Sequence, residues 1–151
     1  MQVKEVMTTG VVFCDPVTNA ATAAETMWTH DCGVLPVLED GSQLVGVVTD
    51  RDLFIALGTR DRRPSEVRVD EVMHRQPAIC TPNDEVRNAL KTMAAEHIHR
   101  LPVVDSSGTL KGMLSIDDVI ARATPSRNGV FADEIVGALT AICERTEKSH
   151  A

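Results

Sequence analysis

The sequence predicts a mixed α/β (α+β) fold in which a β-α-β-β-α repeat occurs twice and is followed by a C-terminal helix. The first observation is an internal duplication: residues 3–57 align with residues 69–123 without a gap and share 15 identities in 55 positions. About three identities are expected if roughly one position in twenty matches by chance. The second observation is that hydrophobic spacing alternates between strand and helix periods within each repeat. The third is an apolar face at helical spacing over residues 130–147.

Each repeat opens with a short apolar stretch, which is followed by a helix start signal. We expect strands at residues 11–14 and 78–80. Thr18 and Asp84 are residue types that cap helix N-termini, and apolar residues at helical spacing follow both of them. The pattern therefore predicts a strand and then a helix at the beginning of each repeat.

The second part of each repeat has the composition of a β-hairpin and a short helix. Two β-rich runs are separated by a few residues rich in Asp, Gly and Ser, which is typical turn chemistry. The predicted strands are 35–38, 44–48, 101–104 and 110–114, and the predicted closing helices are 50–57 and 116–123.

Polar segments predict how the chain is divided. Residues 58–68 read GTRDRRPSEVR and residues 124–129 read TPSRNG, both with Gly and Pro. The apolar face of the tail must be buried, either on its own module or on a partner. The predicted domains are a first repeat at 1–58, a linker at 59–68, a second repeat at 69–124 and a helical tail at 125–151.

Composition excludes several classes of protein. A net charge of −7 and a pI near 5.1 argue against a nucleic-acid binder, whose surface carries a basic stripe. Neither a signal peptide nor an apolar run of membrane-spanning length is present, so we expect a cytoplasmic protein without membrane contact. The four cysteines are widely spaced, which favours free buried thiols in a reducing compartment.

The segments GVVTDRD and GMLSIDD carry the most chemical information. In each, Thr or Ser is followed three residues later by Asp, which is the pattern of a helix capping box. A helix N-terminus at a strand end also offers free amides and a positive dipole end to an anion, and a carboxylate can accept both hydroxyls of a ribose. Thr49 with Asp52, and Ser115 with Asp118, are therefore either caps alone or a grip for a ribose phosphate.

The tandem pattern G-h-h-[TS]-x-x-D after an L-P-V strand resembles the CBS domain pair, or Bateman module, over nearly all of residues 1–124. The resemblance implies two repeats about a pseudo-twofold axis, with clefts that bind AMP, ADP, ATP, NAD or S-adenosylmethionine. It assigns the Thr or Ser hydroxyl to phosphate and the Asp to the ribose diol. It further implies a stand-alone regulatory module that is not an enzyme, has no obligatory cofactor and controls an unknown partner protein.

The resemblance also implies a homodimer through the repeat helices. Trp28 lies near the apolar face of the first predicted helix, where it would anchor such an interface. The alternative is an intramolecular, half-buried tryptophan.

The segment His97-Ile98-His99-Arg100 is the second informative one. Two histidines could bind a metal ion, but a clear third ligand is missing, so we expect no metal site. The sequence HRLPV is similar to that of the regulatory γ subunit of AMP-activated protein kinase, which implies phosphate contacts from His99 and Arg100. The alternative is that His99 packs at a strand start. The first repeat lacks this pair, and its candidate phosphate donors are Arg51 or, in the linker, Arg60, Arg62 and Arg63. The alternative for the three linker arginines is that they are simply solvated.

By the same resemblance, an adenine ring lies between apolar side chains and the backbone of the first strand. The full set of candidate ligand-binding residues is Thr49, Asp52, Ser115, Asp118, His99, Arg100, Arg51, Val12, Ala78, Leu35, Pro36, Leu101 and Pro102.

Three functions remain open at this point. The first is a nucleotide sensor, and the second is a dimeric scaffold whose C-terminal helix docks a partner. The third is a redox or metal sensor that uses Cys14, Cys32, His97 and His99.

Overall fold

The structure, a computed structural model, describes residues 1–122 and 130–144. Its strands and helices follow the predicted order with two exceptions. The strand expected at the start of each repeat is missing from the described residues, and a two-residue strand at His74–Arg75 was not predicted. The strands are β1 (Val34–Glu39), β2 (Gln43–Thr49), β3 (His74–Arg75), β4 (Arg100–Val104) and β5 (Leu110–Ser115). The helices are α1 (Ala20–Thr29), α2 (Asp50–Thr59), α3 (Val86–Glu96), α4 (Ile116–Arg122) and α5 (Val130–Cys143).

The chain forms two compact units, each assembled from segments that are distant in sequence. We call them unit 1 and unit 2. Unit 1 consists of Met1–Thr9, Ala78–Val103 and Lys111–Ala151, and unit 2 of Gly10–Pro77 and Val104–Leu110.

Unit 2 is built on an antiparallel hairpin of β1 and β2, and β3 pairs with the other edge of β2. The turn between β1 and β2 has positive φ angles at Asp40 and Gly41, of 50° and 68°. Such angles match the right-handed twist of the flanking strands, and Asp-Gly tolerates them well. Helices α1 and α2 pack with this sheet around a core that includes Ala23, Met27, Leu35, Val48 and Leu53.

Unit 1 has the hairpin of β4 and β5, with α3, α4 and α5. Its core combines α3 with α5, as expected for an apolar helix face that must be buried. The buried residues include Leu90, Met93, Leu101, Leu114, Val119, Ile135, Ala138 and Ile142.

The opening segment of each repeat packs on the body of the other repeat. The amide of Val3 donates to the carbonyl of Asp84 at 2.9 Å, and Thr8 forms an antiparallel bridge with Met113. Likewise, the amide of Val69 donates to the carbonyl of Thr18 at 2.8 Å. Val67, at the end of the predicted linker, is fully buried in unit 2. The first residues of the first repeat therefore complete unit 1, which consists mainly of the second repeat. The first residues of the second repeat complete unit 2, which consists mainly of the first repeat.

The strands expected at residues 11–14 and 78–80 were a wrong prediction. Each stretch makes only one parallel bridge, Cys14 with Val37 and Cys80 with Val103. A proline follows two residues after each cysteine, and proline offers no amide to extend a ladder.

The predicted helix caps were also wrong. The cap of α1 lies one residue later than predicted, and Asp84 accepts a hydrogen bond from an amide before α3 instead of capping that helix. Asn19, rather than Thr18, caps α1, and its side chain accepts from the amide of Thr22 at 2.9 Å. Thr18 instead donates its hydroxyl hydrogen to Asp15. In the second repeat, the carboxylate of Asp84 accepts from the amide of Thr81, one turn before the helix.

The C-terminal helix was predicted correctly in type. Residues 124–129 and 145–147, where a break and the helix end were expected, lie outside the described residues. None of the helices in residues 1–122 and 130–144 combines the length and the hydropathy of a transmembrane segment.

Candidate functional site

The carboxylate of Asp118 in unit 1 lies at the junction of β5 and α4. Its Oδ2 accepts from the amide of Ser115 at 3.1 Å and from the Ser115 hydroxyl at 2.6 Å. The Ser115 oxygen in turn accepts from the amide of Asp118 at 3.0 Å. The other carboxylate oxygen, Oδ1, meets the Thr8 hydroxyl at 3.5 Å. The capping box predicted here is confirmed, and it engages one of the two carboxylate oxygens.

Unit 2 repeats this arrangement between β2 and α2. The Asp52 carboxylate accepts from the amide of Thr49 at 2.9 Å through Oδ2, and the Thr49 oxygen accepts from the amide of Asp52 at 3.1 Å. The Oδ1 atom of Asp52 lies 2.9 Å from Nε2 of His74. The second predicted capping box is therefore also confirmed. The Oδ1 atom of Asp52 has a closer partner than the Oδ1 atom of Asp118.

Thr8 and His74 occupy the same place in the two units and were not among the predicted site residues. They stand 66 positions apart, and each directly follows one copy of the repeated V-x-E-V-M segment. That repetition was the available signal. It was not sufficient, because nothing in the local sequence shows that the segment packs against the motif of the other repeat.

A glycine in each motif lets this segment come close. A Cβ atom at Gly112 would lie 2.4 Å from the carbonyl oxygen of Thr8, and one at Gly46 would lie 2.8 Å from that of His74. Real Cβ atoms do not approach backbone oxygens to these distances. The motif glycines are thus required for this packing, because the absence of a side chain lets Thr8 and His74 approach the carboxylates.

The predicted phosphate donors are distributed unequally. In unit 1, His99 and Arg100 are exposed at the start of β4, and Arg100 Nη2 is 3.7 Å from Asp117 Oδ2. In unit 2, Arg51 is exposed on α2. Arg62, by contrast, is paired with Glu71 at 2.6 Å. This hydrogen bond, together with one from the amide of Arg68, lowers the pKa of Glu71 to about 2. A phosphate would have to displace that carboxylate to reach Arg62.

The predicted adenine contacts fall into two groups. Val12 and Ala78 are half-buried and pack against the cores of units 2 and 1. Leu35 and Leu101 are fully buried core side chains, so they support the site from beneath and present no surface to a ligand. The remaining two, Pro36 and Pro102, are buried as well, and their carbonyls accept from the amides of Cys14 and Cys80.

The residues suggested for redox or metal chemistry are not brought together. Among the described residues, no group of three or more His, Cys, Asp or Glu side chains could hold a metal ion. His97 Nδ1 instead lies 2.9 Å from the Ala141 carbonyl on α5. Burial raises the pKa of the Cys14 thiol to about 11 and that of Cys80 to about 12, with smaller contributions from neighbouring aspartates. Both values lie well above neutral pH, so we expect the two thiols to be protonated there.

Each unit thus presents a carboxylate oxygen that accepts hydrogen bonds, an exposed guanidinium and a half-buried apolar side chain. A carboxylate oxygen accepts sugar hydroxyls, and a guanidinium binds phosphate through its fork of donors. An apolar surface covers the face of a base. These groups match the sugar, the phosphate and the base of a nucleotide.

A protein-family model for the CBS domain matches residues 3–59 and 69–124, which together make up most of the chain. CBS domain-containing protein YhcV of Bacillus subtilis is 36% identical over 117 residues, covering 78% of this chain and 81% of YhcV. Protein MK0525 of Methanopyrus kandleri is 32% identical over 121 residues, which are 80% of this chain and 61% of MK0525.

The fold also matches solved structures. The crystal structure of CBSX2 in complex with AMP has a TM-score of 0.71 and 29% sequence identity. The similarity covers 81% of this chain and 95% of that one.

Proposed function

The chain belongs to the CBS domain family, and on that premise we propose that units 1 and 2 each bind an adenine nucleotide at the [TS]-x-x-D segment. The observation that carries this proposal is that the two oxygens of the Asp118 carboxylate have different partners. Oδ2 is engaged by the capping box, while Oδ1 has one long contact to a hydroxyl, at 3.5 Å. Oδ1 is therefore available to a better-placed hydroxyl, and the ribose diol supplies one.

The remaining parts of the nucleotide have candidate partners in unit 1. Arg100 is exposed and only loosely paired with Asp117, so a phosphate can replace that carboxylate at small cost. His99 is exposed beside it. Ala78 offers an apolar surface for the base, next to the bridge that Cys80 forms. AMP is the ligand with the most direct support, because CBSX2 at 29% identity was crystallised with it.

The two sites differ in what a ligand must displace. In unit 2 the ribose competes with His74 for Oδ1 of Asp52, at 2.9 Å, whereas in unit 1 it competes with a 3.5 Å contact. We therefore assign the higher affinity for AMP to unit 1. In unit 2, Val12 stands at the position equivalent to Ala78. The candidate phosphate donor there is Arg51 on α2, because Val34 stands at the position equivalent to Arg100.

The proposed role is regulatory. A nucleotide that binds one conformation more tightly than another shifts the population and so changes the affinity for a partner protein. The nucleotide is a regulatory ligand, and no obligatory cofactor is part of the proposal. A cytoplasmic location fits the free cysteines, because a reducing compartment keeps thiols unpaired.

The second candidate function, a homodimeric scaffold, is favoured by one observation. Trp28 is 88% exposed on α1, which excludes the half-buried intramolecular tryptophan considered from the sequence. An exposed tryptophan is a frequent anchor of protein interfaces. Dimerisation through the repeat helices is compatible with nucleotide sensing, and both are part of the proposal.

The test is isothermal titration calorimetry with AMP, ADP, ATP, NAD and S-adenosylmethionine, and with GMP as the control for the base. The variant Asp118→Ala removes the proposed ribose contact and also weakens a helix cap, which costs about 1 kcal/mol. The matched control is Asp84→Ala in the same unit, because it removes a comparable bond to the amide of Thr81. We expect similar losses of stability in the two variants, and loss of the tighter AMP site only in Asp118→Ala.

Two outcomes contradict the proposal. If Asp118→Ala and wild type bind AMP equally, the carboxylate is a cap and nothing more. If protein shown to be free of carried-over nucleotide binds none of the five compounds, the scaffold is the function. A bound nucleotide also stabilises the fold, by about 2.7 kcal/mol per site at 100 times its dissociation constant, so thermal unfolding provides an independent measurement.

A further inference from the structure

The two candidate sites carry their basic side chains at different ends. In unit 1 these side chains are His99 and Arg100, which lie exposed at the start of β4. The 66-residue offset places Gly33 and Val34 at the same positions of unit 2. The start of β1 therefore has no basic side chain to receive the phosphate that Arg100 is proposed to bind in unit 1.

An acidic side chain lies at the start of β1 instead. A Cβ atom at Gly33 would be 3.0 Å from Oδ2 of Asp50, so this carboxylate lies directly against the beginning of the strand. The counterpart of Asp50 in unit 1 is Ile116, a buried apolar residue. A carboxylate repels a nearby phosphate, so this end of the unit 2 site is unfavourable for the 5′-phosphate of AMP.

The basic side chains of unit 2 lie at the other end, around the carboxylate that is proposed to meet the ribose. His74 Nε2 is 2.9 Å from Oδ1 of Asp52, and the uncharged Thr8 stands at its position in unit 1. Arg51 is exposed directly before Asp52, and its counterpart in unit 1 is the acidic Asp117. Unit 2 therefore has a basic residue at two positions where unit 1 has a neutral and an acidic one.

The hydrogen bonds of Asp52 favour a phosphate over a free diol at this end. Oδ2 accepts from the amide of Thr49, and Oδ1 meets His74, so a diol has to displace the imidazole. The side chain of His74 is 65% exposed. An imidazolium donates from both ring nitrogens, so Nδ1 can bind a phosphate while Nε2 stays on Asp52. A phosphate on the ribose thus adds a hydrogen bond where a free diol removes one.

We propose that unit 2 prefers an adenine nucleotide whose ribose carries a phosphate ester at the 2′ or 3′ position, whereas unit 1 prefers the 5′-phosphate. His74 and Arg51 bind the ester phosphate, and Asp52 positions the imidazole. An equivalent exchange separates dinucleotide sites, where an acidic residue binds a free 2′-hydroxyl and a nearby arginine accommodates a 2′-phosphate. The inference rests on the proposed function and names the ligand class of its second site.

The test is isothermal titration calorimetry with the three isomers of adenosine monophosphate that carry the phosphate at the 2′, 3′ or 5′ position. The isomers share one base and one composition, so they differ only in where the phosphate is. Asp118→Ala disables the proposed site of unit 1 and reports on unit 2, and Asp52→Ala does the converse. Measurements at about pH 6.5 keep an ordinary imidazole partly protonated.

We expect Asp118→Ala to bind the 2′- or the 3′-isomer at least about 10-fold more tightly than the 5′-isomer, as for one charge-assisted hydrogen bond. We expect Asp52→Ala to prefer the 5′-isomer. If Asp118→Ala binds the 5′-isomer as tightly as the other two, this inference is overturned and the proposed function stands. If neither variant binds any isomer, the proposed function fails, and this inference fails with it.

A second set of variants tests the role of His74 in the Asp118→Ala background. His74→Gln keeps a donor for Asp52 but removes the charge, so the preference for the ribose phosphate should be lost. The matched control is His30→Gln, which removes another exposed histidine of unit 2, one that contacts the carbonyl of Thr26, and should keep the preference. Circular dichroism verifies that the variants are folded. A preference that survives His74→Gln refutes the assigned role.

The converse experiment transfers the two basic residues to unit 1. In the Asp52→Ala background, Thr8→His combined with Asp117→Arg should move the preference of unit 1 from the 5′-isomer toward the 2′- or 3′-isomer. This is a gain of binding, so a loss of stability cannot imitate it. An unchanged preference in this variant would show that the two positions do not set the specificity.

Discussion

Replacing Gly112 with alanine tests whether the N-terminal segment docks on β5 as closely as the structure shows. The added methyl group would lie 2.4 Å from the carbonyl oxygen of Thr8 and 3.3 Å from the sulfur of Met7. Backbone cannot yield as a flexible side chain can, so Thr8 must move away from β5. Two hydrogen bonds of 2.9 Å between Thr8 and Met113, one in each direction, would be stretched or lost.

The cost follows from these contacts. Two hydrogen bonds contribute about 1 kcal/mol each, and overpacking costs about 1–3 kcal/mol. The lower chain entropy of alanine in the unfolded state offsets about 0.4–1 kcal/mol. We expect a net loss of about 2–4.5 kcal/mol, which lowers the melting temperature by roughly 4–18 °C for a chain of this size.

Urea denaturation measures this loss, and Gly58→Ala is its matched control. Gly58 lies in α2, with no atom within 4 Å of an added Cβ, so alanine there should stabilise the protein by about 0.5–1 kcal/mol. Gly112→Ala should also weaken AMP binding in unit 1, because Thr8 helps to position the Asp118 carboxylate. A Gly112→Ala variant as stable as wild type would refute the close approach and the site geometry built on it.

Two further predictions concern the second site and the thiols. His74→Ala frees Oδ1 of Asp52 and should tighten AMP binding in unit 2 by about 3- to 10-fold, as expected for one hydrogen bond, in calorimetry of a variant whose unit 1 site is disabled; unchanged affinity would show that the ribose does not use this oxygen. A thiol reacts as its thiolate, and burial raises the pKa values of Cys14 and Cys80 to about 11 and 12, so at pH 8 both should react with Ellman's reagent far more slowly than exposed Cys143. Rapid reaction of either buried thiol in the folded protein would contradict its placement in the core.

The local sequence was sufficient to predict much of the fold and, in each candidate site, the capping box. It did not predict the residue that meets Oδ1 of the aspartate. The capping boxes at Thr49 and Ser115 are complete within four residues, so their pattern identifies them without tertiary information. The same holds for the β1–β2 turn, where Asp40-Gly41 tolerates positive φ angles. The predicted strands at residues 11–14 and 78–80 failed because apolar runs alone do not show whether a partner strand continues beside them.

The duplication, the two β-hairpins with their flanking helices and the two capping boxes could be predicted from the sequence. Which distant segments meet could not. Thr8 and Asp118 are 110 positions apart and yet lie at one site, because Gly112 lets the first residues of the chain pack on β5. The placement of α5 on α3, while Trp28 stays exposed, was decided in the same way. Contacts of this kind depend on the shapes of packed surfaces, and such shapes exist only once the chain has folded.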